Sequence, residues 1–401
     1  MKSIKNLLLG FIIVFFGLGS NTFAYGDIKP GTFKKLIDEN HEDYFTSDAK
    51  LKLSNEIAYD INFDNNYKST NRNDEYKSTK SIGRLYSSLN FAENFSLNST
   101  LHFDRIANDI VGKDRTFDSE GLYLREMNVV YDNKKHGFIL GKFDLNFGKA
   151  WNFNRGIANH EIAQNYLQNE KVGFGQIMRI GDLKTTGRYQ LSYSFFKNDR
   201  KYLDNSIITK GNNLSKEDAF PGDENIFKSY VISADIDFDF DNDKTLNYHF
   251  SYLNSAINEK HSNLADQNKI DDQKSFSASM NYIYPFNQDF ILDSLVEYVS
   301  VKNYQGNSDI YERYLSANSI LRIHKNYNLT LGHATRQNVQ AQSYGFDENI
   351  TEISTGYDFL ESKFFDKLTF QLGYKRQRND FKTSLETKNS LIALVRYQKR
   401  F

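Results

Sequence analysis

From residue 51 onward, apolar and polar positions alternate, which is the period-2 signal of a strand with two unlike faces. Leu51, Leu53, Ile57, Tyr59, Ile61 and Phe63 share one stripe, with Lys52, Ser54, Glu56, Ala58, Asp60 and Asn62 between them. Tyr189, Leu191, Tyr193 and Phe195 repeat the theme, as do Leu246, Tyr248, Phe250 and Tyr252, and later Leu368, Phe370, Leu372 and Tyr374. About 16 such segments fall near 50–63, 82–92, 94–105, 121–132, 137–147, 172–181, 187–197, 227–240, 245–253, 275–286, 289–302, 312–323, 327–336, 350–360, 367–377 and 390–401. Their length suits strands that cross a bilayer at a tilt. The segments at 121–132, 137–147 and 289–302 alternate poorly.

The links between segments alternate too. Short ones lie around Ala92-Glu93-Asn94, Asp241–Lys244 and His324–Asn326, and long ones near 64–81, 106–120, 148–171, 198–226, 254–274, 303–311, 337–349 and 378–389. Turns at one end and long loops at the other are the plan of an outer-membrane barrel. A string of soluble β-sandwiches also alternates, but it would need linkers between domains, and the chain has only 3 Pro and no Gly-rich stretch. The expected fold class is all-β: a transmembrane antiparallel β-barrel over residues 50–401, apolar stripe to lipid and polar stripe to a lumen. Hydrocarbon offers the backbone no hydrogen-bond partner, so such a sheet must close on itself. About 16 strands leave an aqueous channel, whereas eight are filled by side chains.

Composition narrows the functions. The 401 residues carry 50 Lys+Arg against 51 Asp+Glu, and this near-neutral balance argues against a nucleic-acid partner. Absence of Cys removes disulfides and thiolate metal sites. Residues 1–24 read as a signal peptide: Lys2 and Lys5, an apolar core from Leu7 to Leu18, and Thr22-Phe23-Ala24 at the cleavage site. Residues 25–49 form a periplasmic N-terminal segment ahead of the barrel. Catalysis finds little support: the eight His form no H-E-x-x-H pair, and no G-x-S-x-G elbow appears. No cofactor is expected. The acidic run Asp235–Asp243 admits a calcium loop, but it lacks the Gly and distal Glu of an EF-hand. A lumen-facing stripe of Asp235, Asp237 and Asp239 is the plainer reading.

Leu391 to Phe401 alternates up to a terminal Phe, and resembles the C-terminal signature of Gram-negative outer-membrane barrels. The stretch Gly141-Lys142-Phe143-Asp144-Leu145-Asn146-Phe147-Gly148 resembles the strand-to-loop junction of Gram-negative porins. That resemblance implies a third loop folded into the lumen, a lipid bilayer and lipopolysaccharide as surroundings, recognition by the barrel-assembly machinery, and a possible homotrimer. Residues 25–49 depart from common porins, whose first strand begins soon after cleavage. If polar stripes face inward, the walls offer Lys52, Glu56, Asp60, Arg84, His102, Arg322, Lys375, Arg396 and Arg400, and the third loop offers Glu161 and Glu170 among Asn152, Asn154, Asn159 and Gln164. By similarity to a porin eyelet, the expected pore constriction sets Lys52, Arg84 and Arg396 on the wall against Glu161 and Glu170 on the loop. The expected function is a porin for passive diffusion of small hydrophilic solutes and ions. The alternatives are a substrate-selective channel and a surface adhesin or structural barrel acting through its long loops.

Overall fold

The computed structural model describes residues 51–106, 112–133, 135–153, 155–183, 186–199, 222, 227–240, 244–257, 270–340, 345–360, 362–381 and 384–401. The expected signal peptide, the expected 25–49 segment, Asn154 and most of the 198–226 link lie outside these.

Alternation has become a closed ring. The strands are β1 (Lys52–Ser69), β2 (Tyr76–Ala92), β3 (Phe95–Arg105), β5 (Glu120–Asp132), β6 (His136–Phe143), β7 (Lys171–Asp182), β8 (Gly187–Asn198), β9 (Ser229–Phe240), β10 (Lys244–Ser255), β11 (Gln273–Pro285), β12 (Phe290–Lys302), β13 (Ile310–Ile323), β14 (Tyr327–Gln340), β15 (Phe346–Leu360), β16 (Lys367–Asp380) and β17 (Leu385–Arg400). A two-residue strand, β4 (Arg115–Thr116), lies in the link between β3 and β5 and pairs parallel with β2. The other strands pair antiparallel with their neighbours in sequence, β3 with β5 across that link. Strand β17 returns to β1, with Asp60 opposite Arg396. Two backbone bonds finish the seam: the Asn55 amide donates to the Phe401 carbonyl at 2.9 Å, and the Phe401 amide to the Asn55 carbonyl at 3.0 Å. The result is a closed 16-stranded barrel of the outer-membrane type.

Each of the 16 alternating segments maps onto one strand, but the long-loop end differs from the sequence reading. Strands β1 and β2 run through 64–69 and 76–81, β14 and β15 through 337–340 and 346–349, and β17 starts at Leu385. The links expected to be long at 64–81, 337–349 and 378–389 are therefore short hairpin tops. Beyond the bilayer both strand faces meet water, so the apolar signal fades while the hydrogen-bonded ladder continues. The segment expected over 137–147 stops earlier, at Phe143.

The outer surface is apolar around the ring: Leu191, Phe250, Leu331, Ile353, Leu372 and Leu391 are exposed. Aromatic rings border it. At the short-turn end Phe95 and Tyr131 lie 4.9 Å apart, Tyr284 and Phe286 4.9 Å, and Tyr327 and Tyr357 4.8 Å. Phe174 with Phe195 and Phe346 with Phe381 lie toward the other end. This is the girdle that amphipathic rings form at membrane interfaces.

Candidate functional site

After β6 the chain turns into the barrel. Residues 144–170 contain a helical turn, Ala150–Phe153, and a 3₁₀ turn, Ile162–Asn165. Leu145, Phe147, Ala150, Ile162, Ala163 and Tyr166 punctuate this segment, too apolar to stand in water. They are buried against inward-facing Ile177, Phe196, Val231, Leu295, Val299 and Tyr314 of the wall. Burying one large apolar side chain stabilises by roughly 1.5–3 kcal/mol. A polar wall alone would give the loop no such seat. On the far side Ile157 and Ala158 meet Ile392 and Leu394 of β17. The loop thus spans the lumen from β6 to β17, and the lumen is not uniformly wet.

Two buried wall carboxylates fix its path. Glu297 of β12 accepts from the backbone amides of Lys149 and Ala150, the latter at 3.1 Å, and from the Tyr166 hydroxyl at 2.5 Å. Glu352 of β15 accepts from the amides of Ile157, Ala158 and Asn159 at 2.7, 2.7 and 3.1 Å. Successive amides aimed at one carboxylate satisfy donors that would otherwise be orphaned inside the barrel. Gly156 makes the approach possible: its φ is +96°, and a Cβ there would stand 2.5 Å from a Glu352 oxygen. Gly332 on the wall clears space in the same way, since a Cβ there would lie 2.0 Å from the Asn159 side chain. Farther along, Arg155 donates to Asp293 at 2.9 and 2.6 Å, and Asn146 donates to Ser233 and Asp235 at 2.7 and 2.9 Å.

Of the five residues expected at the constriction, two come together. Arg84 and Arg396 bracket Asp60, at 3.2 and 2.8 Å, giving two cations around one buried acid. Glu161 meets a different wall cation, Lys375, at 3.1 Å, and the same ammonium pairs with Asp64 at 2.5 Å. Glu170 sits where the loop rejoins the wall, bound to Lys142 at 3.0 Å. Lys52 is exposed at the start of β1, opposite Asn90, and is not joined with the others. Half-buried His160, next to Glu161, lies beside this basic wall. Desolvation inside the barrel lowers its pKa to about 3, and the positive charges of Lys80, Arg396 and Arg84 push the same way. The ring therefore stays neutral at physiological pH.

The acidic stripe of β9 faces inward. Asp235 binds Lys149 at 3.0 Å and His249 at 2.8 Å, and Asp237 binds Arg188 at 2.9 Å. Sequence reasoning missed Glu297 and Glu352. The available signal was a single acid inside an apolar run, Leu295-Val296-Glu297-Tyr298-Val299 and Ile350-Thr351-Glu352-Ile353.

No protein-family model and no curated protein matches the chain. Solved structures do. A loop-deletion mutant of OmpT, an outer membrane protein of Vibrio cholerae, aligns with TM-score 0.50 at 10% identity over 88% of this chain and 100% of that one. Outer-membrane expressed OmpT of Vibrio cholerae aligns with TM-score 0.50 at 11% identity over 88% and 99%. The outer membrane channel DcaP of Acinetobacter baumannii aligns with TM-score 0.50 at 11% identity over 87% and 97%. At such identity the likeness establishes the barrel fold.

Proposed function

We propose that the chain is an outer-membrane porin: a water-filled conduit through which small hydrophilic solutes and ions diffuse down their gradients, with no bond chemistry. The observation that carries this reading is the 144–170 segment folded inside a closed 16-stranded barrel and pinned to the wall at Glu297 and Glu352. A barrel of this size without an internal element leaves a wide hole, and a fixed internal loop sets its bore. The constriction in this reading lies between the loop and the β1–β2–β17 wall, where Arg84 and Arg396 exceed their shared partner Asp60 by one charge. Glu161, held by Lys375 of the adjoining β16, supplies the loop-side acid there. The loop's apolar seat in the lumen favours a narrow, solute-selective version of this channel over a wide general one.

Reconstitution in a planar bilayer tests the proposal. Stable single-channel steps are expected, and Arg84→Glu, which changes the local charge by two, shifts the anion-to-cation permeability ratio toward cations about twofold or more. A silent bilayer containing heat-modifiable, folded barrel would overturn the channel reading. A homotrimer, carried from the porin resemblance, is read separately by chemical cross-linking in the membrane.

A further inference from the structure

Outside the barrel, near the ends of β11, β12 and β13 that lead into the loops, three cations share one face. Lys274 of β11 stands directly opposite Lys302 of β12. In the next ladder Lys302 is opposite Tyr311 and Ser300 is opposite Arg313, so Arg313 lies on the diagonal from Lys302. Alternation turns all three cations outward, and all three are exposed. The acids of these strands, Asp293, Glu297 and Glu312, sit on the buried inward face. Asp271, Asp272 and Asp309 stand in the links above. Asp271 accepts from the Asn303 side chain at 3.0 Å and Asp272 from the Ile257 amide at 3.1 Å. No acid among the described residues forms an ion pair with Lys274, Lys302 or Arg313.

Like charges directly opposite in a ladder repel, so the bare Lys274–Lys302 pair destabilises the wall it belongs to. Just below, the same face turns oily. Phe276 follows Lys274 by two residues, Leu315 follows Arg313 by two, and Tyr298 precedes Lys302 by four, all of them exposed. The cations therefore stand at the upper border of the apolar belt, at the level of lipid headgroups. We infer that this patch seats a phosphate-bearing lipid of the outer leaflet. A phosphate monoester carries about −1.5 to −2 charges near neutral pH and three strong acceptor oxygens. Two ammonium groups and a guanidinium supply matching donors, and Ser300 adds a hydroxyl between Phe276 and Arg313. An anion set between the two lysines turns their repulsion into attraction for a common partner. The acyl chains then run down over Phe276, Tyr298 and Leu315, which a free phosphate ion leaves uncovered. A zwitterionic headgroup brings a cation of its own to the patch and fits it less well. The inference is independent of the channel reading, since it needs only the barrel in its membrane.

The test uses the full-length folded barrel in a neutral maltoside detergent, with lipid retention read by native mass spectrometry and stability by the temperature at which the heat-modifiable band is lost. The probes are lipid A with both phosphates, monophosphoryl lipid A, phosphatidylcholine and inorganic phosphate. Lipid A should be retained, monophosphoryl lipid A less so and phosphatidylcholine least, with millimolar inorganic phosphate failing to displace lipid A. Replacing both lysines, Lys274→Gln with Lys302→Gln, should weaken lipid A binding about tenfold. Arg313→Gln should weaken it in the same direction. In lipid-free detergent the double variant should unfold at the wild-type temperature or above it, because the repelling pair is gone, and lipid A should no longer raise that temperature. Arg378→Gln, at an exposed cation already paired with Asp380, should leave retention at the wild-type level. Retention of lipid A undiminished by the double variant overturns the seat, and so does an equal loss with Arg378→Gln or equal retention of phosphatidylcholine. Displacement by inorganic phosphate would make the patch an ion site and overturn the lipid as its occupant.

Discussion

At the scale of single residues, two kinds of group govern the loop. Glu352 holds three consecutive amides, and a hydrogen bond to a charged group is worth about 1.5–3 kcal/mol. Glu352→Ala should therefore free the loop tip. Single-channel traces should become noisy, with excursions to larger conductance, and Glu352→Gln should fall between, since it keeps one acceptor oxygen. A trace as quiet as wild type would show that the carboxylate does not hold the loop. His160 adds a pH dependence. Its pKa is about 3 when the loop is seated and near the ordinary 6.5 when the loop is released into water. Between these values the released form binds more protons, so the His160 contribution to seating is fully present above about pH 6.5 and is lost as pH falls toward 3. Conductance noise should rise over that window in the wild type, and His160→Gln should remove that part of the rise.

Elements obey a simpler rule, and most of them were legible in the sequence. The 16 strands could be read because each has one face in oil and one in polar surroundings. The three segments that alternate poorly have structural reasons. In β12 the inward positions Leu295, Val299 and Val301 are apolar because the third loop packs on them, so both faces look oily. In β6 the same holds for Ile139 and Phe143. In β5 a bulge at Arg125 shifts the register against β3, so the facing of successive residues changes partway along the strand. The candidate site was only half legible. That Arg84 and Arg396 share Asp60 follows from long-range register across β1, β2 and β17, as does the pairing of Glu161 with Lys375, and no local pattern encodes it. The lipid face offers a direct check on the element scale. Leu372→Arg, in the middle of β16 on the oily side, should cost about 2–4 kcal/mol in chemical unfolding from lipid vesicles. A change within error would mean that this face is not in hydrocarbon.

At the scale of the whole molecule, closure is what the membrane demands, since an open edge in hydrocarbon leaves backbone groups unsatisfied. The seam between β1 and β17 supplies it through a register that sets Glu56 opposite Arg400, and through the Asn55–Phe401 bonds. Deleting residues 391–401 removes most of β1's partner. The truncated chain should show no heat-modifiable band and no membrane insertion, while a deletion of equal length within 199–228, between β8 and β9, should leave both intact. Insertion of the truncated chain would mean that the ring can close without its final strand.

That seam joins the beginning of the cylinder to its end, which imposes a timetable on the cell. The earliest part of the wall to be synthesised waits for its mate until β17 has been translated and delivered across the inner membrane. Everything in between must travel as an uncommitted thread, kept from clumping by escorts. An interrupted message yields nothing that the outer membrane can accept, so assembly itself acts as an inspection of completeness.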